Sequence, residues 1–232
     1  RWLTDAKLKP AAFMPLIERW RQGKYRALRA EASRHEFEDI LPELLATLAA
    51  AGDPAQAAAR FDSFLEQLPA GLQFFALLSA NPKLMPLLGR LLGVTPVLAN
   101  ALARDPALLD VLLGPEAFAP LPDGAALLAN LRSFVRGSKH LEVTLDRVRN
   151  WTGEHRFQVG AHLIEARVDP LVAATGLSDL ADAALHVLSD AVEAEFAGTH
   201  GRIAGAGLIV LAMGRYGGRA LTHASDLDLI FL

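Results

Sequence analysis

The sequence predicts a mainly α-helical protein that begins a partial α+β region near its carboxyl end, from residue 201 onward. Through most of the chain, apolar residues recur at three- and four-residue steps, which is typical of amphipathic helices. Aspartate, asparagine or threonine repeatedly stands directly before proline, a common way to start a helix. After residue 201, an apolar run between glycines and an alternation of aspartate with leucine predict strands instead. The predicted fold is therefore a helical bundle followed by strand, turn, helix and strand.

The composition excludes several classes of site. The chain has 23 Lys and Arg against 26 Asp and Glu, a net charge of −3, so it lacks the basic field that a dedicated nucleic-acid binder needs. It contains no cysteine, which excludes disulfides and thiolate metal sites and agrees with an expected cytoplasmic location. The longest apolar run, residues 204–214, is too short to cross a bilayer, so no membrane partner is expected. Because the sequence begins with Arg and ends abruptly, we expect a piece of a longer polypeptide.

The helix starts follow from pairs in which an oxygen-bearing side chain caps the helix and proline occupies its first position, where no N–H is needed. These pairs are Asp53-Pro54, Asn81-Pro82, Thr95-Pro96, Asp105-Pro106 and Asp169-Pro170. Pro42 either kinks the helix predicted around it or restarts it. The predicted helices span about 10–22, 24–50, 54–68, 71–80, 82–92, 96–104, 106–113, 123–136, 139–166 and 177–198.

Three regions follow from this pattern. We predict a helical linker at 1–68, a helical part of a catalytic domain at 69–200 and the start of its sheet at 201–232. The stretch from 139 to 168 is more charged than the rest. Its charged and ionisable residues favour a solvated helix face over a substrate-facing one: Arg147, Arg149, Glu154, His155 and Arg156.

The residues after 201 carry the candidate chemistry. The run AGLIVLAMG predicts a strand buried on both faces, RYGGRALTHAS a turn and a short helix, and DLDLIFL a second strand. Side chains two residues apart share a strand face, so Asp226 and Asp228 would project together about 6–7 Å apart, on a face that becomes buried further along.

Two readings of this aspartate pair stay open. At an effective dielectric constant of about 20, two such carboxylates repel by about 2–3 kcal/mol, which matters little if the strand end is simply exposed to water. The alternative is that a divalent cation converts the repulsion into shared coordination. Mg²⁺ suits such a site, because it takes one or two carboxylates and fills its shell with water and phosphate.

The neighbouring turn favours the second reading. We predict that Gly217 and Gly218 open the short helix, where glycines allow close approach of a ligand and the first N–H groups attract phosphate. The hydroxyl of Ser225 could donate to a phosphate oxygen. Together these groups meet the needs of nucleotidyl transfer. We predict that Tyr216 packs on the sheet rather than bordering a base, and we assign no catalytic role to His223.

These motifs resemble the nucleotidyltransferase superfamily that includes DNA polymerase β. Residues 211–232, LAMGRYGGRALTHASDLDLIFL, resemble one branch of it, the glutamine synthetase adenylyltransferases, whose signature reads Gly-Lys-Leu-Gly-Gly-Arg-Glu, a short gap, then Ser-Asp-Leu-Asp-Leu. Upstream stretches such as RWRQGKYRALRAEASR, DPALLDVLL and EAEFAGTHGRI resemble the segment before the second catalytic domain of that family. The resemblance covers nearly the whole chain, although Arg215, Tyr216 and Ala220 depart from the signature.

The resemblance implies a multifunctional transferase of nitrogen metabolism that attaches AMP from ATP to a tyrosine of glutamine synthetase. It implies that Asp226 and Asp228 are catalytic and bind Mg²⁺, and that Gly217, Gly218 and Ser225 contact the ATP phosphates. Glutamine synthetase and the PII signalling protein are the implied partners. The family also uses a third carboxylate on a later strand, so we expect the chain as given to be inactive by itself.

Alternative functions remain open at this point. The chain could instead belong to the AMP-removing half of such an enzyme or to a related uridylyltransferase, both of which would use the same aspartates. A non-catalytic helical interaction module is a further alternative from a different class.

Overall fold

A computed structural model describes residues 10–114, 117–138, 140–202, 205 and 207–232 of the chain. The chain forms two compact units, Arg1–Asp110 and Val111–Leu232, and each has its own hydrophobic core. The functional boundaries near residues 68 and 200 stay predictions, because a packing unit need not coincide with a functional domain.

The first unit is helical throughout its described residues. An aromatic cluster forms much of its core: Trp20 packs edge-on against Phe61 at 5.2 Å between ring centroids, and Phe37 packs against Phe75 at the same distance. Edge-to-face and tilted packing is the arrangement that aromatic quadrupoles favour. The helices are α1 Pro10–Arg21, a 3₁₀ helix Arg26–Leu28, α2 Glu31–Ala49, α3 Pro54–Gln67, α4 Leu72–Ala80, α5 Leu84–Val94 and α6 Pro96–Arg104, followed by a 3₁₀ helix at Pro106–Leu112.

Two of the predicted helices in this unit were wrong in form. The helix predicted at 24–50 is divided into the 3₁₀ helix and α2, because Ala30 between them has an extended backbone, with a φ of −72° and a ψ of 140°. Pro42 does not divide it, since α2 runs through that position. The helix predicted at 106–113 is a 3₁₀ helix rather than an α-helix.

The cap predictions were partly right across the chain. The carboxylates of Asp53 and Asp169 accept hydrogen bonds from the N–H groups of Gln56 at 3.0 Å and Leu171 at 2.8 Å. The Thr95 side chain makes no such bond, although Pro96 occupies the first position of α6 as expected. Aspartate before proline was therefore a better guide to a cap than threonine before proline.

The second unit places a small sheet beside three long helices. Its elements are α7 Gly124–Phe134, α8 Leu141–Ile164, α9 Pro170–His200, β1 Val210–Ala212, α10 Gly214–Gly217 and β2 Leu229–Phe231. The start predicted for α9 at residue 177 was wrong by about two turns. Gly176 lies inside the helix, where an added Cβ would come within 3.3 Å of the Leu121 side chain, so this glycine permits close packing instead of marking a boundary.

Helix α9 is long and apolar enough to cross a membrane by length and composition alone, the one such helix among the described residues. However, 44% of its apolar window is buried inside the protein. Its buried residues, which include Leu177 and Leu180, pack in one cluster with Leu131 and Trp151. This pattern is that of a core helix.

The sheet consists of two antiparallel strands in the part of the chain that the structure describes. Val210 pairs with Phe231, Leu211 with Ile230 and Ala212 with Leu229. The prediction that the first strand is buried on both faces was wrong, since Leu211 is 43% exposed. Residues 204 and 206 of the apolar run 204–214 lie outside the described residues.

Candidate active site

The glycine segment after β1 differs from its prediction. Gly217 and Gly218 close the short helix α10 instead of opening one: the N–H of Gly217 donates to Met213 O at 2.8 Å, and that of Gly218 to Gly214 O at 3.1 Å. The helix begins at Gly214, whose φ of +54° only glycine adopts readily. The sequence reasoning missed Gly214, although a glycine directly after a predicted strand was a usable signal.

Two of these glycines are required by close approach. A Cβ at Gly214 would lie 2.5 Å from Oδ2 of Asp228, and a Cβ at Gly217 would lie 2.5 Å from the carbonyl oxygen of Ala212. Gly218 is different, because the nearest atom to an added Cβ would be 3.5 Å away. The turn therefore brings the Asp228 carboxylate directly against the backbone of Gly214.

The two predicted carboxylates lie at the entry to β2. The carbonyl oxygen of Asp228 accepts a hydrogen bond from Met213 N–H at 2.9 Å, which extends the ladder by one residue. Asp226 lies two residues earlier, outside this pairing, and both aspartates are exposed. Among the residues that the structure describes, neither carboxylate has a hydrogen-bond or ion-pair partner, and no cluster of three or more acidic or histidine side chains could hold a metal.

The predicted burial of the aspartate face was wrong. Leu229 is the residue of β2 that packs against the buried helical cluster, whereas Ile230, on the face of Asp228, is 45% exposed. Because neighbouring side chains in a strand alternate, Asp228 points away from the helical core. The carboxylates therefore lie at an open face.

Ser225 stabilises the loop before the aspartates. Its Oγ accepts a hydrogen bond from Thr222 N–H at 3.0 Å and lies 2.9 Å from the Thr222 hydroxyl. The N–H of Ser225 in turn donates to Thr222 O at 3.1 Å. This local turn is a typical use of serine, and the predicted contact with phosphate stays a prediction.

Helix α8 holds the same loop through Arg156 and His223. The Arg156 guanidinium donates to the carbonyl oxygen of His223 at 2.8 Å, and Nε2 of His223 lies 2.7 Å from the carbonyl oxygen of Arg156, to which it donates. Burial lowers the pKa of His223, which favours the neutral ring. The interpretation of Arg156 as part of a solvated face did not anticipate this contact, because the two residues are 67 positions apart and no local pattern connects them.

Helix α9 holds the glycine turn from the other side. Tyr216 is buried in the cluster that residues of α9 help to form, and its hydroxyl donates to Oδ1 of Asp182 at 2.5 Å. Burial, followed by the hydrogen bond to Asp182, raises the pKa of this phenol. Arg219 donates to Oδ2 of Asp182 at 2.8 Å and also pairs with Asp179. The turn is thus attached to α9, and the loop before the aspartates is attached to α8.

Comparison with known proteins identifies this arrangement. A family model described as glutamate-ammonia ligase adenylyltransferase matches residues 85–232, which include the glycine turn and both aspartates. The chain belongs to the glutamate-ammonia ligase adenylyltransferase family.

Curated relatives agree with this assignment. The chain is 39% identical over 224 residues to a bifunctional glutamine synthetase adenylyltransferase/adenylyl-removing enzyme of Mesorhizobium japonicum, and the match covers 97% of this chain and 23% of that protein. A protein of the same name from Brucella suis is 39% identical over 217 residues, 94% of this chain and 22% of the relative. The chain therefore spans about a quarter of the length of these adenylyltransferase relatives.

The donor chemistry of this adenylyltransferase segment fits a divalent cation. Asp226 and Asp228 offer exposed carboxylate oxygens, the hard ligands that Mg²⁺ prefers. The side-chain-free surface of Gly214 leaves room for the Asp228 carboxylate at the mouth of the turn. Two carboxylates with remaining positions for water and phosphate are a normal protein contribution to a magnesium site.

Proposed function

We propose that this chain is part of an enzyme that transfers AMP from ATP to a tyrosine of glutamine synthetase and so regulates nitrogen assimilation. The observation that carries the proposal is the exposed pair Asp226 and Asp228, without protein partners among the described residues, beside a glycine turn within the region that matches the family.

In this proposal Asp226 and Asp228 hold Mg²⁺, which would neutralise charge on the nucleotide triphosphate. In the transfer, the tyrosine hydroxyl loses its proton to water and its oxygen bonds to the α-phosphorus. The bond from that phosphorus to the oxygen that bridges the α- and β-phosphates breaks, and pyrophosphate leaves. The contribution of this chain is to orient Asp228, because the Met213 N–H binds its carbonyl oxygen and its carboxylate lies against Gly214.

Gly217, Gly218 and Ser225 are proposed to border the ATP phosphates. The N–H groups of both glycines already donate within α10, so we propose that these glycines act by leaving space for the nucleotide and not as phosphate donors. Ser225 directly precedes Asp226, and its hydroxyl accepts a hydrogen bond from the Thr222 N–H. The loop that contains both residues is bound to α8 through Arg156.

The remaining parts of the proposal rest on family likeness alone. We propose glutamine synthetase as the protein substrate, because the relatives carry it in their names. Regulation by the PII signalling protein and a cytoplasmic location are proposals of the same kind, without a residue in this chain to support them.

The test is an adenylyl-transfer assay on the full-length polypeptide that carries this chain, with α-³²P-labelled ATP, Mg²⁺ and glutamine synthetase. We expect label on a glutamine synthetase tyrosine, and its loss in Asp226→Asn and Asp228→Asn. Asp146→Asn is the matched control, since Asp146 is an exposed acid that pairs only with Arg149 on the same helix among the described residues. Unchanged labelling in both site variants would refute the proposal.

The relatives' names favour one alternative, the adenylyl-removing activity. It is tested by supplying glutamine synthetase that already carries AMP and measuring AMP released from the protein. If the site variants impair release but not attachment, the chain belongs to the removing half. If the site variants change neither reaction and Mg-ATP affinity is unchanged, a non-catalytic helical module is the better description.

A further inference from the structure

Arg219 occupies an unusual backbone position. Its φ is +51°, in the left-handed region, directly after Gly217 and Gly218. A residue with a Cβ pays about 1 kcal/mol or more for this conformation, and glycine would adopt it freely. The N–H of Arg219 donates to Tyr216 O at 2.9 Å, so the strained residue is part of the turn itself. An arginine here suggests that its side chain performs a task.

The side chain of Arg219 joins the turn to α9. One terminal nitrogen donates to Oδ2 of Asp182 at 2.8 Å, and the other pairs with Oδ1 of Asp179. The second oxygen of Asp182 accepts the Tyr216 hydroxyl at 2.5 Å. The Asp182 carboxylate therefore accepts one hydrogen bond from Tyr216, inside α10, and one from Arg219, just after it. These two bonds attach the turn to α9 at two points.

The carboxylates on α9 depend on this arginine. The Asp179 side chain is only 20% exposed, and one of its oxygens would lie 3.1 Å from a Cβ at Gly124, the first residue of α7. Burial raises the pKa of Asp179, the nearby Asp182 and Asp123 raise it further, and Arg219 opposes them. The acids are thus held in a partly desolvated place where Arg219 supplies the counter-charge.

The same short helix contacts the candidate catalytic acid. Gly214 begins α10 and lies against the Asp228 carboxylate, while Tyr216 and Arg219 attach its other end to α9. We propose that Arg219 is a positioning residue, which holds the glycine turn on α9 and thereby sets the orientation of Asp228. The catalytic consequence of this role rests on the proposed function.

The first test separates the side chain of Arg219 from its backbone. In the full-length polypeptide, Arg219→Gly removes the ion pairs and relieves the positive φ, whereas Arg219→Lys keeps a charge. We expect kcat of Arg219→Gly to fall by about tenfold or more, because small displacements of catalytic groups are costly, with KM for ATP changed less than about twofold. Arg219→Lys should recover part of kcat, and Asp182→Asn should resemble the glycine variant.

The matched control is another arginine–aspartate ion pair, which joins Arg132 on α7 to Asp190 on α9. Arg132 donates to Asp190 at 3.0 Å, and both side chains are more than half exposed. Arg132→Ala removes a similar pair without contact to the turn, so kcat should stay unchanged. If Arg219→Gly instead equals or exceeds the unmodified protein in kcat, the ion pairs do not position the site and the proposal is wrong.

A second readout does not depend on activity. Amide hydrogen exchange over residues 213–220 should be about fivefold faster or more in Arg219→Gly and unchanged in Arg132→Ala, because local opening follows loss of tertiary contacts. If the polypeptide shows no adenylyl transfer, the proposed function fails while exchange still decides whether Arg219 holds the turn. Unchanged exchange in Arg219→Gly would overturn the positioning role in either case.

Discussion

The carboxylate of Asp62 in the first unit and those of Asp226 and Asp228 in the second have opposite surroundings. Asp62 is 8% exposed and accepts three side-chain hydrogen bonds, from Arg19 at 3.0 Å, Trp20 at 2.9 Å and Tyr25 at 2.5 Å. Burial, with the hydrogen bond to Asp62, raises the pKa of Tyr25 to about 12. Asp226 and Asp228 are exposed and have no donor among the described residues.

This difference separates a structural carboxylate from one available to a ligand. A buried charge is tolerated only when donors replace the water it loses, so the three donors around Asp62 belong to the folding of the first unit. An exposed pair without donors contributes little to folding, and its like charges repel. The same residue type therefore has two roles, which its surroundings assign.

The largest expected effect is on catalysis at the exposed pair. In the full-length polypeptide, Asp228→Asn should reduce adenylyl transfer on the order of 1,000-fold, about 4 kcal/mol, because one ligand of the proposed cation is lost. In the isolated chain, Asp228→Asn should change the free energy of unfolding by less than about 0.5 kcal/mol. Steady-state kinetics and urea unfolding provide the two measurements. If Asp228→Asn lost much stability but kept its activity, Asp228 would be the structural carboxylate, which would contradict the account.

The buried carboxylate should show the opposite result. Asp62→Ala leaves the Trp20 indole and the Tyr25 hydroxyl without their acceptor, and we expect a loss of about 3 kcal/mol in unfolding free energy. Glu66→Ala is the control, because Glu66 lies 3.7 Å from the same Arg19 but is 59% exposed, and it should cost less than about 1 kcal/mol. Urea denaturation of the chain compares the two, and equal losses would contradict the account.

A smaller effect distinguishes the two glycines of the turn. Gly217→Ala should cost about 2 kcal/mol, because its Cβ would meet the Ala212 carbonyl oxygen, whereas Gly218→Ala should be within about 0.5 kcal/mol of the unmodified chain. Thermal unfolding measures both. If Gly218→Ala then lowers adenylyl transfer at normal stability, the space beside Gly218 is used by the nucleotide; normal activity would remove Gly218 from the site.

The smallest effect is a pH dependence of the second unit. Burial lowers the pKa of His223 and of His155 below 6.5, so both rings are preferentially neutral in the folded chain. As the pH decreases, the histidines of the unfolded chain are protonated before those of the folded chain. The free energy of unfolding is therefore greatest above about pH 6.5 and falls below it, by at most about 1.4 kcal/mol per pH unit for each ring. His223→Gln should reduce this slope in urea unfolding between pH 7 and 5. An unchanged slope would count against burial of His223.

Local sequence rules predicted much of the fold and the identity of the candidate acids. Asp53 and Asp169 cap helices as their proximity to proline suggested, and the D-x-D pattern marked Asp226 and Asp228. The rules were less reliable where tertiary packing decides, as at Gly176, which lies inside α9 because Leu121 packs against it.

The supports of the site could not be predicted from the sequence. Arg156 and His223 are 67 positions apart, and Arg219 and Asp182 are 37 apart, so no periodic pattern connects them. The prediction placed Gly217 and Gly218 at the start of a helix and not at the end of α10, because a glycine pair can either open or close a helix. In the structure the helix begins earlier, at Gly214, which has a φ of +54° and lies against the Asp228 carboxylate.

The central claim is that Asp226 and Asp228 hold a divalent cation for the nucleotide. Mn²⁺ can stand in for Mg²⁺ at oxygen ligands, and its binding can be followed by electron paramagnetic resonance in the presence of a non-hydrolysable ATP analogue. In the full-length polypeptide, Asp226→Asn and Asp228→Asn should each weaken Mn²⁺ binding by about tenfold or more, while Asp146→Asn binds as the unmodified protein does. Equal Mn²⁺ affinity in all four proteins would contradict the account.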